Sequence, residues 1–338
     1  MKFIILFFAI TISSQFCFGQ SKTIKNETKI DTFALTIVNE SEGFSHADNA
    51  ITMSVPPKNL RKYKVYKNIS EAIRNPKEVF VLDLSSQSLT EIPSDIKLFT
   101  NLKSLKLSFN DIKEIPEWIS EYDNLIELSL VSNELRSIPP SLSKLKNLTH
   151  LDLGMNKITE LPKDIGDLSN LVVFDCANNK IKELPNSIGD LKNLYRLEIS
   201  SNELSTLPET IGNCSGLVYF SFSYNKVSEL PSSIGNLKKL SWLYFDKNQI
   251  SALPDSLVEL SSLTYFGLSD NKINRLPDNF GKLTNLHGFA MDNNNLESLP
   301  DSFFTMKSLG DIHFKNNKLN SQVKKRLKQK FKDVPLYL

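Results

Sequence analysis

The sequence predicts an α/β solenoid, with a parallel concave sheet of about eleven strands and short helical or 3-10 turns on the convex side. Three observations predict it. A unit of 23 residues repeats without insertion or deletion from Val79 onward. Within each unit, leucines alternate with polar residues, as on a short strand with one buried face. An asparagine and then a proline recur after that strand, where the chain has to turn away from the sheet.

The unit over residues 148–170 shows the pattern most fully. It reads LTHLDLGMNKITELPKDIGDLSN, which generalises to LxxLxLxxNxLxxLPxxIGxLxN. Leu151 and Leu153 would face the core from the strand. Ile165 and Leu168 lie three residues apart, which favours a short helical or 3-10 turn on the convex side. With about 4.8 Å between parallel strands, eleven strands would form a curved sheet roughly 50 Å long.

This pattern resembles the 23-residue class of the leucine-rich-repeat superfamily. The resemblance covers residues 79–320 as eleven units, the last of which merges into a C-terminal cap. The units are similar to those of bacterial exported leucine-rich-repeat proteins and to the repeat domains of Ras-group leucine-rich-repeat scaffolds. Such a resemblance specifies the fold far more closely than the function.

Asparagine stands at the ninth position of every repeat except the first, which has Gln87 there. A buried turn leaves backbone groups that need partners, and an asparagine side chain can supply them. We therefore predict a structural asparagine ladder. Its members are Asn110, Asn133, Asn156, Asn179, Asn202, Asn225, Asn248, Asn271, Asn294 and Asn317.

Both ends of the repeat array are predicted to be capped, because the terminal cores would otherwise be open to solvent. Residues 69–78 are predicted as an N-terminal helical cap, with Ser70 as the helix N-cap. Residues 321–338 are predicted as a basic amphipathic cap helix, with Val323 and Leu327 facing the core.

Residues 1–19 have the layout of a secretory signal peptide. Lys2 supplies a positive charge, residues 3–12 are apolar, and Gly19 offers a cleavage position. The apolar run is about half of the ~20 residues that a membrane span requires. Residues 20–68 are polar and are interpreted as a linker or N-terminal extension. The mature chain is therefore expected in the periplasm, on the cell surface or in the medium.

Two cysteines remain after removal of the signal peptide, Cys176 and Cys214. They occupy different apolar positions of neighbouring repeats, so we predict buried free thiols rather than a disulfide. Extracellular solenoids of animals usually carry cysteine-rich caps. Their absence here points to a bacterial cell envelope.

The formal net charge of the chain is +2, but the charge is unevenly distributed. Residues 79–308 carry −8, whereas residues 1–78 carry +4 and residues 309–338 carry +6. The acidic repeats argue against a nucleic-acid partner. The basic C-terminal helix could contact an anionic membrane or a polysaccharide, and the favoured interpretation is the solvated face of a cap.

Catalytic motifs are nearly absent from the sequence. None of the four histidines forms a pair with metal-ligand spacing, and there is no HExxH, no CxxC and no glycine-rich phosphate loop. His150 and Asp152, with Asp175 on the next strand, form the one conceivable metal or acid/base cluster. A solvated surface cluster is the favoured interpretation. We therefore predict that the chain is not an enzyme and uses neither a cofactor nor a metal.

The concave face carries an excess of aromatic residues: six of the eleven Tyr and Trp fall there, within four adjacent repeats. Tyr, Trp and Arg dominate the binding energy at protein interfaces. Three carboxylates also share one column on adjacent strands, where like charges repel. The predicted binding residues are Tyr195, Arg196, Tyr219, Trp242, Tyr244, Tyr265, Asp152, Asp175 and Glu198.

The expected partner of this face is a protein. An envelope glycan is the alternative, because aromatic platforms also stack on sugar rings. A purely structural surface protein is a further alternative, in which the aromatic rings pack on one another and the carboxylates are solvated.

Overall fold

The computed structural model describes residues 57 and 60–338 of the chain. The chain divides into two compact units, Met1–Arg61 and Lys62–Leu338, and the second contains the strands and helices described below. The predicted signal peptide, residues 1–19, and residues 20–56, 58 and 59 of the predicted linker lie outside the described residues, so both assignments stay predictions there. The linker prediction is wrong at Val65–Tyr66, which form a strand of the sheet.

One parallel sheet of thirteen strands, side by side in chain order, runs through the described residues. Its strands are β1 (Val65–Tyr66), β2 (Val81–Asp83), β3 (Ser104–Lys106), β4 (Glu127–Ser129), β5 (His150–Asp152), β6 (Val173–Asp175), β7 (Arg196–Glu198), β8 (Tyr219–Ser221), β9 (Trp242–Tyr244), β10 (Tyr265–Gly267), β11 (Gly288–Ala290), β12 (Asp311–His313) and β13 (Leu336–Tyr337). Each repeat contributes one strand from β2 to β12, so the predicted solenoid is confirmed. The sequence did not predict β1 and β13, which add a two-residue strand at each end.

Equivalent positions of neighbouring repeats pair with one another in the sheet. Asp152 pairs with Asp175, and Asp175 pairs with Glu198. The same register continues from β2 to β12 because no repeat contains an insertion. The third and fifth positions of the repeats therefore form two continuous columns along the concave face.

Short 3-10 helices carry the chain along the convex side, as predicted. In the part of the chain that is described, they span Pro76–Glu78, Ser94–Leu98, Glu117–Glu121, Pro140–Lys144, Ile165–Asp167, Asn186–Asp190, Glu209–Asn213, Ser232–Asn236, Asp255–Glu259, Phe280–Lys282 and Asp301–Thr305. Glycine lets neighbouring turns pack closely. A Cβ on Gly212 would lie 2.3 Å from the carbonyl oxygen of Ser233 in the next repeat, so that position has no room for a side chain.

Leucine, isoleucine and phenylalanine side chains fill the space between the sheet and the convex turns. Leu151, Leu153 and Ile165 of the fourth repeat are completely buried. Cys176 and Cys214 are free and buried within this core. Burial raises the pKa of the Cys214 thiol to about 12, so the side chain stays neutral.

The ladder asparagines tie each repeat to the one before it. The Nδ2 of Asn202 donates to the carbonyl oxygen of Cys176 in the preceding repeat at 3.0 Å, and to two carbonyls of its own turn. Its Oδ1 accepts the backbone N–H of Ile181 at 2.9 Å. The other nine ladder asparagines bond the preceding repeat in the same way. These bonds satisfy backbone groups that the turn would otherwise leave unpaired.

The residue before each ladder position has a left-handed backbone. In all eleven repeats the eighth position has a positive φ, between 53° at Lys247 and 59° at Ser86. No glycine occupies it. The position also excludes valine, isoleucine and threonine, whose branched side chains tolerate this conformation least.

Helix α1 (Ile69–Ala72) lies at the N-terminal end of the repeats and is followed by the 3-10 turn Pro76–Glu78. Asn68, not Ser70, is its N-cap, because the Asn68 side chain accepts the backbone N–H of Glu71 at 2.8 Å. The predicted cap residue is therefore wrong by two positions. Asparagine and serine both satisfy the first-turn donors, so sequence alone does not separate them.

Helix α2 (Ser321–Lys330) lies at the C-terminal end, with Asn320 as its N-cap. Leu327 and Phe331 are buried against the last repeat. The prediction of a helix through residue 338 is wrong, because the helix ends at Lys330 and the chain returns to the sheet as β13. Pro335 lacks an amide proton and favours the extended backbone that leads into that strand.

Candidate functional site

The concave face is formed by the third and fifth positions of each repeat, which lie on the strand on either side of a buried fourth position. On β5, Leu151 is buried, while His150 and Asp152 are partly exposed. The same alternation holds for β6, β7 and β9. The strands therefore place every predicted binding residue except Tyr195 in these two columns.

Asp152, Asp175 and Glu198 lie directly beside one another in the fifth-position column. Each carboxylate accepts a backbone N–H two residues further along; the Ala177 N–H donates to Asp175 Oδ1 at 2.8 Å. Burial raises the pKa of Asp152 to about 6. Burial, together with the charges of Asp152 and Glu198, raises the pKa of Asp175 well above its usual value. The column therefore holds negative charge at an energetic cost.

Arg196 lies in the third-position column next to these carboxylates. Its guanidinium group is centred 3.8 Å from the centroid of the Tyr219 ring. One of its terminal nitrogens lies 3.4 Å from Glu198 Oε2, which also accepts the Tyr219 hydroxyl at 3.1 Å. The Nε of Arg196 is buried and has no acceptor within residues 57 and 60–338. The three side chains therefore form one unit that leaves one donor unpaired among these residues.

The aromatic residues continue this unit along the sheet. The Tyr219 and Tyr244 rings lie 5.9 Å apart, and the Trp242 and Tyr265 rings lie 6.3 Å apart with an angle of 2° between their planes. The His287 ring meets Tyr265 edge-on at 6.0 Å.

Two glycines leave room for these rings. A Cβ on Gly267 would lie 2.7 Å from Tyr244 Cδ1, and a Cβ on Gly310 would lie 2.1 Å from the His287 ring. Tyr195 precedes β7 at the second position, and no ring contact within residues 57 and 60–338 joins it to the others. The structure thus brings together all the predicted binding residues except Tyr195.

Sequence reasoning missed a buried ion pair beside the acidic column. Glu127 accepts the Ser104 hydroxyl at 2.6 Å and lies 3.3 Å from the Lys106 ammonium group. His150, on the adjacent strand, has its pKa lowered by burial. The signal was available, because all these residues occupy the third and fifth positions of their repeats.

A second missed cluster lies where β12 meets β13. His313 Nε2 is 3.0 Å from Asp311 Oδ2, and its Nδ1 is 3.8 Å from Asp292 Oδ2. Burial opposes the charge of His313, but the hydrogen bonds that its ring N–H groups donate to Asp292 and Asp311 raise its pKa to about 9. The Tyr337 ring stacks on the imidazole at 4.3 Å. This cluster holds the last strand in place rather than presenting a surface.

The geometry offers little for catalysis. Across the described ranges, no three or more His, Cys, Asp or Glu side chains converge as metal ligands would. Neither α-helix in the same residues is long and apolar enough to cross a membrane. What the concave face can do chemically is to bind, through rings, an acidic column and one unused arginine donor.

Three family descriptions match parts of the chain. They are "Leucine-rich repeat region" over residues 140–218, "Leucine rich repeat" over residues 192–250, and "Leucine Rich Repeat" over residues 101–121. A comparison with curated proteins found no match.

Solved structures with the same architecture come from bacteria and plants. A leucine-rich-repeat protein of Leptospira interrogans is 25% identical, with a TM-score of 0.51; the match covers 81% of this chain and 100% of that one. The ectodomain of the Arabidopsis thaliana receptor kinase GASSHO1/SCHENGEN3, solved with CASPARIAN STRIP INTEGRITY FACTOR 2, is 30% identical with a TM-score of 0.65. That match covers 71% of this chain but only 30% of the receptor chain. An internalin of Listeria monocytogenes is 20% identical, with a TM-score of 0.63 and coverage of 78% and 81%, and shows the fold alone.

Proposed function

The chain belongs to the leucine-rich-repeat superfamily, and from that premise we propose that it is an exported, non-enzymatic protein that recognises another protein through its concave face. The observation that carries the proposal is the continuous unit of Arg196, Tyr219 and Tyr244 beside the Trp242–Tyr265 pair. Large amphipathic side chains of this kind supply most of the binding energy at protein interfaces.

The energetic cost of the concave face supports the same proposal. Within the strand of each repeat, the fold requires a buried apolar side chain only at the fourth position. Any polar side chain would serve at the third and fifth positions. Instead, the column holds Asp152, Asp175 and Glu198 side by side, where like charges repel. Electrostatic repulsion that lowers stability and gives the fold nothing in return is expected where a protein recognises a partner.

Export rests on the leader-like residues 1–19, and the absence of cysteine-rich caps favours a bacterial envelope. The plant relative is an ectodomain in complex with a second molecule, which supports an extracellular setting and a protein partner by similarity. The non-enzymatic assignment rests on the sparse catalytic motifs. A purified mature chain with bound metal and hydrolytic activity would overturn that assignment.

The experiment is capture of the partner from the native cell surface or secretome, with substitutions on opposite sides of the solenoid. Trp242→Ala and Tyr244→Ala should abolish capture. Trp118→Ala is the matched control, because the second tryptophan of the chain lies in the convex turn Glu117–Glu121. Unchanged capture by both concave variants would refute the assignment of the face.

A glycan is the second candidate ligand. The nearly parallel rings of Trp242 and Tyr265 favour it, because flat ring faces stack on sugars. Saturable binding on a glycan array, lost in Trp242→Ala, would replace the protein proposal with this one. A purely structural envelope protein would bind in neither assay.

A further inference from the structure

Two large apolar side chains are exposed at the eighth position of their repeats. Phe109 is 59% exposed and Met155 is 53% exposed, and their φ angles are 58° and 56°. A left-handed backbone costs a bulky residue roughly 1–2 kcal/mol. Asparagine, which tolerates it better, holds the same position at Asn178 and Asn293. The side chains of Phe109 and Met155 therefore stabilise neither the left-handed backbone conformation nor the hydrophobic core.

These two residues lie three positions beyond the fifth-position column, where the chain leaves the sheet, and they expose apolar surface in repeats two and four. The acidic column lies in repeats four to six, and the rings of Tyr219, Trp242, Tyr244 and Tyr265 lie in repeats seven to nine. Phe109 and Trp242 are six repeats apart, or about 29 Å at the usual strand spacing. An extended chain of about nine residues would cover that distance.

In the middle of this path, two carboxylates lie beside a residue that has no side chain. A Cβ on Gly154 would lie 3.4 Å from Asp175 Oδ1, 3.5 Å from Asp152 Oδ1 and 3.6 Å from the Ala177 carbonyl oxygen. A ligand group that approaches Gly154 therefore meets both carboxylates. An ammonium or guanidinium group placed there would relieve the repulsion within the column.

The Nε–H of Arg196 indicates a contact with the backbone of the same ligand. Its Nε is buried, and the described residues contain no acceptor for it. A peptide carbonyl lying across the column would supply one after the Arg196 side chain turns outward, because the Nε itself has no exposed surface, whereas a further cationic side chain would not.

We propose that the occupant of the concave face is an extended protein segment of about nine residues or more, with apolar or aromatic side chains at both ends and lysine or arginine in the middle. This inference rests on the proposed function. It commits to one partner chemistry because the charge of the repeats, −8 over residues 79–308, repels nucleic acid, anionic polysaccharide and a second copy of the same face.

The probe is a labelled synthetic peptide of about twelve residues with leucine and tyrosine near its ends and two central lysines. One isomer carries the lysines at the ends, and a second peptide replaces them with glutamate. The purified chain should bind the first peptide at least about tenfold more tightly than either control, as measured by fluorescence anisotropy. Higher salt should weaken that binding and reduce the difference.

Three variants test the three parts of the path. Phe109→Asn, Gly154→Ala and Trp242→Ala should each weaken binding of the first peptide by about fivefold or more. The first two keep the fold, because asparagine already occupies the eighth position elsewhere and the new Cβ at Gly154 makes only ordinary contacts. Asp175→Asn should abolish the preference for lysine over glutamate, which a purely structural role would not do.

Two outcomes would overturn the inference: equal binding of all three peptides, or no binding of the first. Capture of a native partner by the chain, lost in Trp242→Ala, would then leave the proposed function intact. If the first peptide still binds all three variants, its binding site lies elsewhere on the protein, and the inference is contradicted as well.

Discussion

The asparagine ladder and the concave face belong to the same repeats, yet they are built in opposite ways. Every ladder residue is the same amino acid, and each bonds the backbone of its own and the preceding repeat. On the face, neighbouring repeats differ and the pKa of Asp152 is raised. The part of the chain that the structure describes offers no acceptor to Arg196 Nε. The hydrogen bonds of the ladder stabilise the folded chain. The concave face contains unfavourable interactions that a bound partner would relieve.

The largest expected effect is loss of a ladder residue. Asn202→Ala should lower the free energy of unfolding by about 4 kcal/mol, because several buried backbone groups lose their partner at once. Asn193→Ala is the matched control, since the Asn193 side chain donates to one carbonyl at an exposed site. It should cost less than about 1 kcal/mol. Denaturant unfolding measures both, and equal losses would remove the distinction between ladder and surface.

A smaller loss is expected where neighbouring turns touch. Gly212→Ala should destabilise the chain by about 3 kcal/mol, because its Cβ would collide with backbone of the next repeat. The concave Gly154→Ala should change the unfolding free energy by less than about 1 kcal/mol. Thermal unfolding of the two variants provides the test. A large loss at Gly154 would show that the concave glycine serves packing rather than binding.

Substitution within the acidic column should raise stability instead. Burial raises the pKa of Asp152 from 3.8 to about 6, so the native state holds its proton more tightly than the unfolded state. Stability is then lost as pH rises from about 4 through 6. Asp152→Asn should therefore gain about 2 kcal/mol at pH 7 and nothing below about pH 4. Unfolding curves across that range measure the gain, and a destabilised variant at pH 7 would contradict the account.

The smallest effect concerns the left-handed eighth position. Phe109→Asn should raise the free energy of unfolding by about 0.5 kcal/mol, because asparagine tolerates a positive φ better and little apolar burial is lost. Met155→Asn should behave alike. Ser132→Asn, at the same position between them, is the control and should be nearly neutral. A loss in the first two variants would show that both side chains pack in the fold.

The repeat pattern was sufficient to predict the fold because each 23-residue unit specifies its own strand, turn and core positions. It located every strand from β2 to β12 and the ladder that joins them. It missed β1 and β13, since Val65–Tyr66 and Leu336–Tyr337 fall outside the repeat and pair with its first and last strands. Two-residue strands carry too little alternation to be recognised locally.

The candidate site was predictable in outline but not in its energetics. Column membership follows from the period, so Asp152, Asp175 and Glu198 could be placed together from the sequence. The Arg196 Nε, which has no acceptor among the described residues, depends on side-chain directions that spacing does not specify, and so do the distances from Gly154 to the two carboxylates. The ion pair of Glu127 and Lys106 could have been found, because both residues occupy the two concave columns.

Recognition of a protein by the concave face is tested most directly by photo-crosslinking in the native cell. A photoreactive amino acid replaces Val173 in one variant, because Val173 lies in the third-position column beside Arg196 and is not one of the proposed binding residues. In another variant it replaces Ser215, an exposed residue outside both columns. The account predicts a discrete crosslinked protein from position 173 and none from position 215. A crosslinked partner from position 215 alone would contradict it.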